Sequence, residues 1–154
     1  MRDILFRGKR MDNGEWVEGF YAGDTGDGCH EICDINSGTG HRVEVDPATV
    51  GQYTGLTDKN GKRIFEGDKL KPFDDEIDKM VVEFHCGTFM LCLYGERGYP
   101  DENGEWCSEG NYGVFECEPL SSYGDDVEII GNIHDNPELL ETEKNTKNLK
   151  NSAK

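Results

Sequence analysis

The segment from Val50 to Leu70 constrains the fold more than any other part of the sequence, because it places a turn signal between two short apolar runs. Its centre is Asn60-Gly61, and a type I′ hairpin turn needs positive φ angles that Asn and Gly tolerate best. A two-residue turn here also gives one attractive and one apolar cross-strand pair on the same face. The predicted register sets Lys59 opposite Lys62, Asp58 opposite Arg63, Thr57 opposite Ile64 and Leu56 opposite Phe65.

The composition favours a mainly β fold. The chain has 154 residues, which suits one domain or two small β lobes. Twenty glycines and five prolines separate short apolar runs, a pattern typical of many short strands joined by turns. The N-terminal residues lack a secretory hydrophobic region, and no apolar run approaches the ~20 residues of a membrane span. We therefore expect a cytoplasmic protein.

The N-terminal residues predict a first hairpin. Its strands are residues 4–6 and 16–21. A tight turn at Asn13-Gly14 would set Asp12 opposite Glu15, and like charges directly opposite each other are destabilising. A longer loop is the alternative.

A flap and a capped turn follow this hairpin. Residues 22–41 are rich in Gly, Asp, Ser and Thr, and a short strand at 31–35 interrupts them. Residues 43–45 form another strand. Asp46 is then placed to cap a helical turn that begins at Pro47.

Residues 80–94 predict a second clear hairpin. Gly87-Thr88 suits a type II′ turn, which has Gly at its first central position. In that register one face is wholly apolar and should face the core. This face comprises Val82, Phe84, Cys86, Phe89, Leu91 and Leu93.

The remainder of the chain predicts a loop, a strand and a helix. Residues 95–114 are rich in Gly, Asp and Glu and are interpreted as a long loop. Residues 127–133 are a strand, and Asn136 caps a short helix with Pro137 at its first position.

Charge is distributed unevenly along the sequence. The net charge is −16, and residues 72–140 contain seventeen acids and two bases. Residues 56–71, in contrast, contain five bases and three acids. An acidic surface repels nucleic acid and attracts basic partners. The alternative interpretation is that the acidic residues only keep a β-rich protein soluble. The candidate interaction residues are Lys59, Lys62, Arg63, Lys69 and Lys71.

The cysteines and histidines give no catalytic or metal prediction. Without a signal peptide, the six cysteines are interpreted as reduced thiols. The spacing among Cys29, His30, Cys33 and His41 does not match a zinc motif. His85 and Cys86 are neighbours, and neighbours on a strand point to opposite faces. We therefore predict no catalytic residues, no metal and no cofactor.

Five segments that extend across nearly the whole chain form one pattern: Ile4–Gly8, Val50–Gly61, Ile64–Asp68, Val81–Phe84 and Ile129–Leu140. This pattern resembles the YopX-like proteins of bacteriophages and prophages. The resemblance implies a phage or prophage origin, a mainly β fold, self-association and no enzymatic activity. The sequence departs from the family pattern in the Gly-rich residues 22–41 and in the insertion-like residues 95–114.

These observations predict a mainly β protein of two small lobes. Residues 1–50 form a hairpin and flap, and residues 51–140 form an SH3-like barrel or a strongly bent sheet with a short C-terminal helix. Residues 141–154 are the helix end and a frayed tail.

The expected function is that of a non-enzymatic accessory protein in the cytoplasm of a bacterial host, acting through protein contacts as a homo-oligomer. A basic host or phage protein is the further partner that the charge suggests. One alternative function is an acidic DNA mimic that occupies a host nucleic-acid-binding protein. Another is a weak nucleic-acid-binding module that uses Lys59–Lys71.

Overall fold

A computed structural model describes residues 2–71, 80–123 and 125–137; for residues 94–98, 106 and 108–116 the description covers the backbone. The described residues are mainly β, as predicted, with eleven strands and two short 3-10 helical turns. They are β1 (Phe6–Lys9), β2 (Trp16–Asp24), β3 (His30–Asp34), β4 (Arg42–Val45), β5 (Gly51–Thr57), β6 (Arg63–Phe65), β7 (Asp68–Lys71), β8 (Met80–His85), β9 (Thr88–Pro100), β10 (Trp106–Pro119) and β11 (Glu128–Asn132), with helical turns at Pro47–Thr49 and Leu120–Ser122.

The chain forms two compact units, Met1–Glu66 and Gly67–Lys154. This division lies later than the lobe boundary that the sequence placed after residue 50. The reason is that β5 pairs with β1, so the central hairpin joins the first sheet. The backbone N–H of Tyr53 also donates to the carbonyl of Leu5 at 2.8 Å.

The first unit contains a six-stranded antiparallel sheet with the order β4-β3-β2-β1-β5-β6. This sheet curls strongly, because Arg10, just after β1, forms a bridge with Val45 at the end of β4. The curl encloses a small core. The core residues are Val17, Ile32, Val43 and Val45, with Phe6, Tyr21 and Val50 packed against them.

A glycine permits close approach inside this curled sheet. A Cβ atom at Gly19 would lie 1.8 Å from the carbonyl oxygen of Cys33 on the neighbouring strand. Because that distance is far below van der Waals contact, only glycine fits between β2 and β3 here.

The first hairpin has the longer loop that the sequence left open. Lys9 lies opposite Trp16. The N–H of Arg10 donates to the carbonyl of Glu15 at 2.9 Å, so the loop between this pair has four residues. The capped turn is also confirmed: an Asp46 carboxylate oxygen accepts a hydrogen bond from the N–H of Ala48 at 3.0 Å.

The central hairpin exists, but its predicted register is wrong. Thr57, rather than Asp58, lies opposite Arg63. The type I′ turn is also wrong, because it needs a positive φ angle at Asn60. Among the described residues other than glycine, Cys86 alone has a positive φ angle. The connection is longer than two residues, as the geometry of the tip shows below.

The second unit contains an open five-stranded sheet with the order β10-β9-β8-β7-β11. Its two outer strands do not pair with each other among the described residues, so the closed-barrel form of the prediction does not apply. Register irregularities interrupt the β9–β10 and β7–β11 pairs. Irregularities of this kind bend a sheet, as the alternative prediction of a bent sheet requires.

The predicted long loop at 95–114 is wrong. Most of these residues extend β9 and β10, which form a long hairpin with Pro100 opposite Trp106. The loop interpretation relied on the glycines and acids of this segment. Backbone pairing between two long strands overrides such local preferences.

The hairpin of β8 and β9 turns one residue earlier than predicted. Cys86 and Gly87 form the turn with φ angles of 50° and 80°, and Phe84 lies opposite Phe89. The register differs by two residues, so each strand residue keeps its predicted face. Cys86 leaves the apolar face and is exposed at the turn. Phe84 keeps its face but is 54% exposed, so the prediction that this whole face lies in the core is wrong at the turn end of the hairpin.

The core of the second unit uses both faces of β8. Val81 and Val82 are successive residues on a strand, yet they are 3% and 0% exposed. Fully buried strands of this kind lie inside a sheet that is covered on both sides. The other buried apolar residues of this unit are Leu70, Met80, Phe89, Leu91, Cys92, Leu120 and Val127.

Two further predictions concern the C-terminal part of the chain. The last strand is confirmed as β11, Glu128–Asn132. The short helix after Asn136 and the tail at 141–154 lie outside the described residues. Among the residues that are described, no helix is long and apolar enough to cross a membrane.

Cys92 and Cys117 form a disulfide between β9 and β10, with their Cα atoms 4.2 Å apart. The prediction that all six cysteines are reduced is therefore wrong for this pair. That prediction rested on the expectation of a cytoplasmic protein, whereas the register sets these two residues directly opposite each other.

The disulfide leads to a prediction about stability. It closes a loop with a sequence separation of 25, and cross-links of this length restrict the unfolded chain. Replacing Cys92 and Cys117 with Ala should lower the free energy of unfolding by about 3 kcal/mol in urea under oxidising conditions. Reductant should destabilise the wild type but not the variant. An unfolding midpoint of the wild type that is independent of reductant would contradict the bond.

Candidate interaction surface

The tip of the central hairpin is a three-residue turn held by Asp58. The N–H of Asp58 donates to the carbonyl of Lys62 at 2.8 Å, and the N–H of Gly61 donates to the carbonyl of Asp58 at 2.9 Å. One carboxylate oxygen of Asp58 also accepts from the N–H groups of Asn60 and Lys62, at 2.8 and 2.9 Å. Gly61, with φ at 78°, provides the left-handed residue that such turns require.

Three of the five predicted interaction residues lie at this tip and are exposed: Lys59, Lys62 and Arg63. We call these three residues the basic tip. Asp58 itself is 3% exposed, so its carboxylate serves the turn while the cations project from it. The guanidinium of Arg63 also pairs with Glu18 on β2 at 3.0 Å.

The other two predicted residues belong to the second unit and behave differently. Lys69 is 1% exposed, and its Nζ donates to the carbonyl of Asn136 at 2.5 Å. A side chain buried in this way is not accessible to a partner. Lys71 is exposed at the end of β7.

The segment bound by Lys69 forms a polar turn. The side-chain oxygen of Asn132 accepts from the N–H groups of His134 and Asp135, both at 2.9 Å. The N–H of Ile133 donates to the carbonyl of Gly67 at 3.0 Å. This turn therefore attaches the end of β11 to the start of β7, which assigns it a structural role.

The long hairpin of the second unit ends in the same type of turn as the basic tip. The N–H of Asp101 donates to the carbonyl of Glu105 at 2.8 Å, and the N–H of Gly104 donates to the carbonyl of Asp101 at 3.0 Å. A carboxylate oxygen of Asp101 accepts from the N–H groups of Asn103 and Glu105, both at 2.8 Å. Glu102 and Glu105 are exposed, and we call this pair the acidic tip.

Sequence analysis missed the acidic tip because it assigned 95–114 to a loop. The signal is nevertheless in the sequence, since Asp58-Lys59-Asn60-Gly61 and Asp101-Glu102-Asn103-Gly104 share the pattern Asp-x-Asn-Gly. An aspartate two residues before Asn-Gly can accept backbone N–H groups of its own turn. That hydrogen bonding favours the longer turn over type I′.

The cysteines and histidines of the flap do not converge on a metal. Among the described residues, no group of three or more His, Cys, Asp or Glu side chains is arranged to hold an ion. A hydrogen bond to Glu44 raises the pKa of the Cys29 thiol to about 11, and partial burial and Asp27 act in the same direction. Because the thiolate is the form that binds metals, this shift disfavours Cys29 as a ligand. His30 uses its Nδ1 in a hydrogen bond with Tyr21.

His85 and Cys86 do meet, contrary to the sequence-based expectation that they diverge. Cys86 lies in the turn rather than on the strand, and its Sγ is 3.8 Å from Nδ1 of His85. This contact alone does not define an active site. Nucleophilic catalysis also needs a third group that orients the base and a pocket that holds the substrate.

Comparison with known proteins agrees with the resemblance seen in the sequence. The family model described as YopX protein matches residues 5–141, which include both tips. The chain belongs to the YopX family. Among solved structures, the crystal structure of protein EF1440 from Enterococcus faecalis is 25% identical to this YopX-family chain, with a TM-score of 0.42. The match covers 91% of this chain and 99% of that one. No curated protein gives a significant match.

The turn at Asp58 can be tested by substitution within this YopX-family chain. Asp58→Ala removes the acceptor of two backbone N–H groups and should lower the free energy of unfolding by about 1–2 kcal/mol. Asp58→Asn keeps a side-chain oxygen and is the matched control, with a smaller loss. Urea unfolding measures both. Equal losses for the two variants would contradict the role of the carboxylate oxygen in the turn.

The raised thiol pKa predicts slow alkylation of Cys29. At pH 8 the thiolate is scarce, and Glu44→Gln should lower the pKa and increase the rate with iodoacetamide by about tenfold. Peptide mass spectrometry measures this rate, with exposed Cys86 in the same sample as the internal reference. An unchanged ratio of the two rates would contradict the influence of Glu44.

Proposed function

We propose that this YopX-family chain is a non-enzymatic accessory protein of a phage or prophage, and that it acts through protein–protein contacts and self-associates. The basic tip supports this proposal most directly. Lys59, Lys62 and Arg63 are exposed on a turn that Asp58 holds rigid, in a chain of net charge −16. A local cationic site on an acidic protein finds complementary charge on another copy of the same protein.

The distribution of acid supports the same proposal. Residues 72–140 contain seventeen of the thirty-two acids of the chain, whereas residues 56–71 have more bases than acids. Each copy therefore contains segments of both signs. Contacts between opposite segments bring copies together, while contacts between like segments repel, which gives the association an orientation.

The proposal assigns no catalytic step. The sequence contains no G-x-S-x-G, P-loop, H-E-x-x-H or G-x-G-x-x-G motif that would position a nucleophile, a phosphate or a metal. The His85–Cys86 contact belongs to an exposed turn. Protein contact is accordingly the activity that we infer from the exposed charges.

A second candidate function follows from the acidic segment. An acidic protein can occupy a basic nucleic-acid-binding protein in place of DNA, and exposed Glu102 and Glu105 are suitable contacts. If the chain binds such a protein and added DNA displaces it, this function is favoured.

Direct nucleic-acid binding by the chain itself is less favoured, because Lys69 is buried and the net charge is strongly negative. Binding at low salt that Lys62→Glu/Arg63→Glu abolishes would support it.

The proposed self-association can be tested by light scattering coupled to gel filtration. We expect a defined oligomer at about 0.02 M salt and a fall towards the mass of one chain at about 0.5 M, because the Debye length shortens from tens of ångströms to a few. Denatured protein gives the reference mass. A single-chain mass at both salt concentrations would contradict self-association and redirect the search to a foreign partner.

A further inference from the structure

The molecule contains two hairpin tips with the same backbone geometry and opposite charge. We propose that the acidic tip of one copy is the surface that receives the basic tip of a second copy. This inference rests on the proposed self-association and specifies which surfaces meet. The basic tip belongs to the first compact unit and the acidic tip to the second.

The backbone match is close at every hydrogen bond. In both turns an aspartate carboxylate oxygen accepts two N–H groups at 2.8–2.9 Å. In both, the glycine N–H donates back to the aspartate carbonyl at 2.9–3.0 Å. The φ angles of Gly61 and Gly104 are 78° and 80°. The two turns therefore present their side chains from equivalent positions.

The equivalent positions have opposite charges. Lys59 and Glu102 each lie one residue after the aspartate of their turn. Lys62 and Glu105 each lie four residues after it. Because the backbones match, the Cα atoms of the two lysines are spaced as those of the two glutamates are. Both Lys–Glu pairs can then form in one encounter, which a single charge on a flexible loop cannot achieve.

The turns are held in place before any contact forms. Each is fixed by four hydrogen bonds, so association orders the lysine and glutamate side chains but not the loops. A binding surface that is already ordered loses less entropy on association.

An exposed aromatic residue lies beside the acidic tip. Tyr99 is on β9, two residues before the turn aspartate Asp101, and is 57% exposed. Tyrosine is among the residues most often found at the energetic centre of interfaces, and its ring attracts cations. An aromatic ring next to two carboxylates suits a lysine, whose stem is apolar and whose end is charged.

The second copy is the occupant that these charges favour. Every copy has one tip of each sign, so two copies always offer a basic tip and an acidic tip to each other. A nucleic acid offers phosphates to the basic tip but repels the acidic tip and the acidic segment 72–140.

Charge reversal tests this contact with three variants. Lys59→Glu/Lys62→Glu makes both tips acidic, and Glu102→Lys/Glu105→Lys makes both basic. The third variant combines all four substitutions, which exchanges the tips and restores the net charge of the wild type. Asp125→Lys/Asp126→Lys changes charge at two exposed residues of the second unit and is the control for Glu102→Lys/Glu105→Lys.

Each double variant alone should self-associate at least about tenfold more weakly than the wild type in sedimentation at low salt, because like charges then face each other. An equal mixture of the two double variants and the fourfold variant should both recover association. Tyr99→Ala should weaken it, whereas Phe20→Ala, at an equally exposed aromatic residue of the first unit, should not. Circular dichroism confirms that each variant is folded.

Three outcomes overturn the inference, and they differ in what they leave standing. If the wild type self-associates and the double variants do so equally well, or if neither mixing nor the fourfold exchange recovers association, the tips are not the contact and self-association stands. If the wild type is a single chain at every salt concentration, self-association and the tip contact both fail. Binding of an oligonucleotide by the wild type that Lys59→Glu/Lys62→Glu abolishes would instead assign the basic tip to nucleic acid.

Discussion

Hydrogen bonds that backbone N–H groups of turns donate to aspartate carboxylates are the interaction on which this structure depends. The chain has few long apolar runs, so its sheets are assembled mainly from antiparallel neighbours whose register is set where the chain reverses. Asp58 and Asp101 each accept two N–H groups within their turns, and Asp46 caps the helical turn at Pro47–Thr49. The Asp58 turn joins β5 to β6 and the Asp101 turn joins β9 to β10, so each turn lies where the pairing of its two strands begins.

Much of the fold could be predicted from the sequence, because apolar alternation and glycine-containing turns mark most hairpins. The register at Asn60-Gly61 could not, since type I′ turns and turns closed by an aspartate both use Asn-Gly. What separates them is a side-chain hydrogen bond, and propensity rules for the two central residues do not include it. The strand residues of the β8–β9 hairpin keep their predicted faces, because an error of two residues leaves every strand side chain on its face. The prediction that only one of these faces is buried was wrong, since Val81 and Cys92 on the other face are buried as well.

Other features depend on contacts far apart in sequence. The pairing of β5 with β1 moves the central hairpin into the first unit, and nothing local to Gly51–Thr57 indicates it. The burial of Lys69 is similar, because its acceptor, the carbonyl of Asn136, lies 67 residues away. Charge counts alone therefore placed Lys69 with the surface lysines. The Cys92–Cys117 bond likewise follows from a strand register that the loop interpretation of 95–114 had excluded.

The aspartate-held turn also has an evolutionary consequence. Its geometry is specified by the aspartate, the glycine and backbone groups, while Lys59 and Lys62 are exposed residues of the turn. The second turn has Glu102 and Glu105 at the equivalent positions, so the same backbone accepts either charge there. A lineage carrying this scaffold can therefore reverse the charge of a binding surface with two substitutions. Partner choice can then diverge quickly while the architecture is retained.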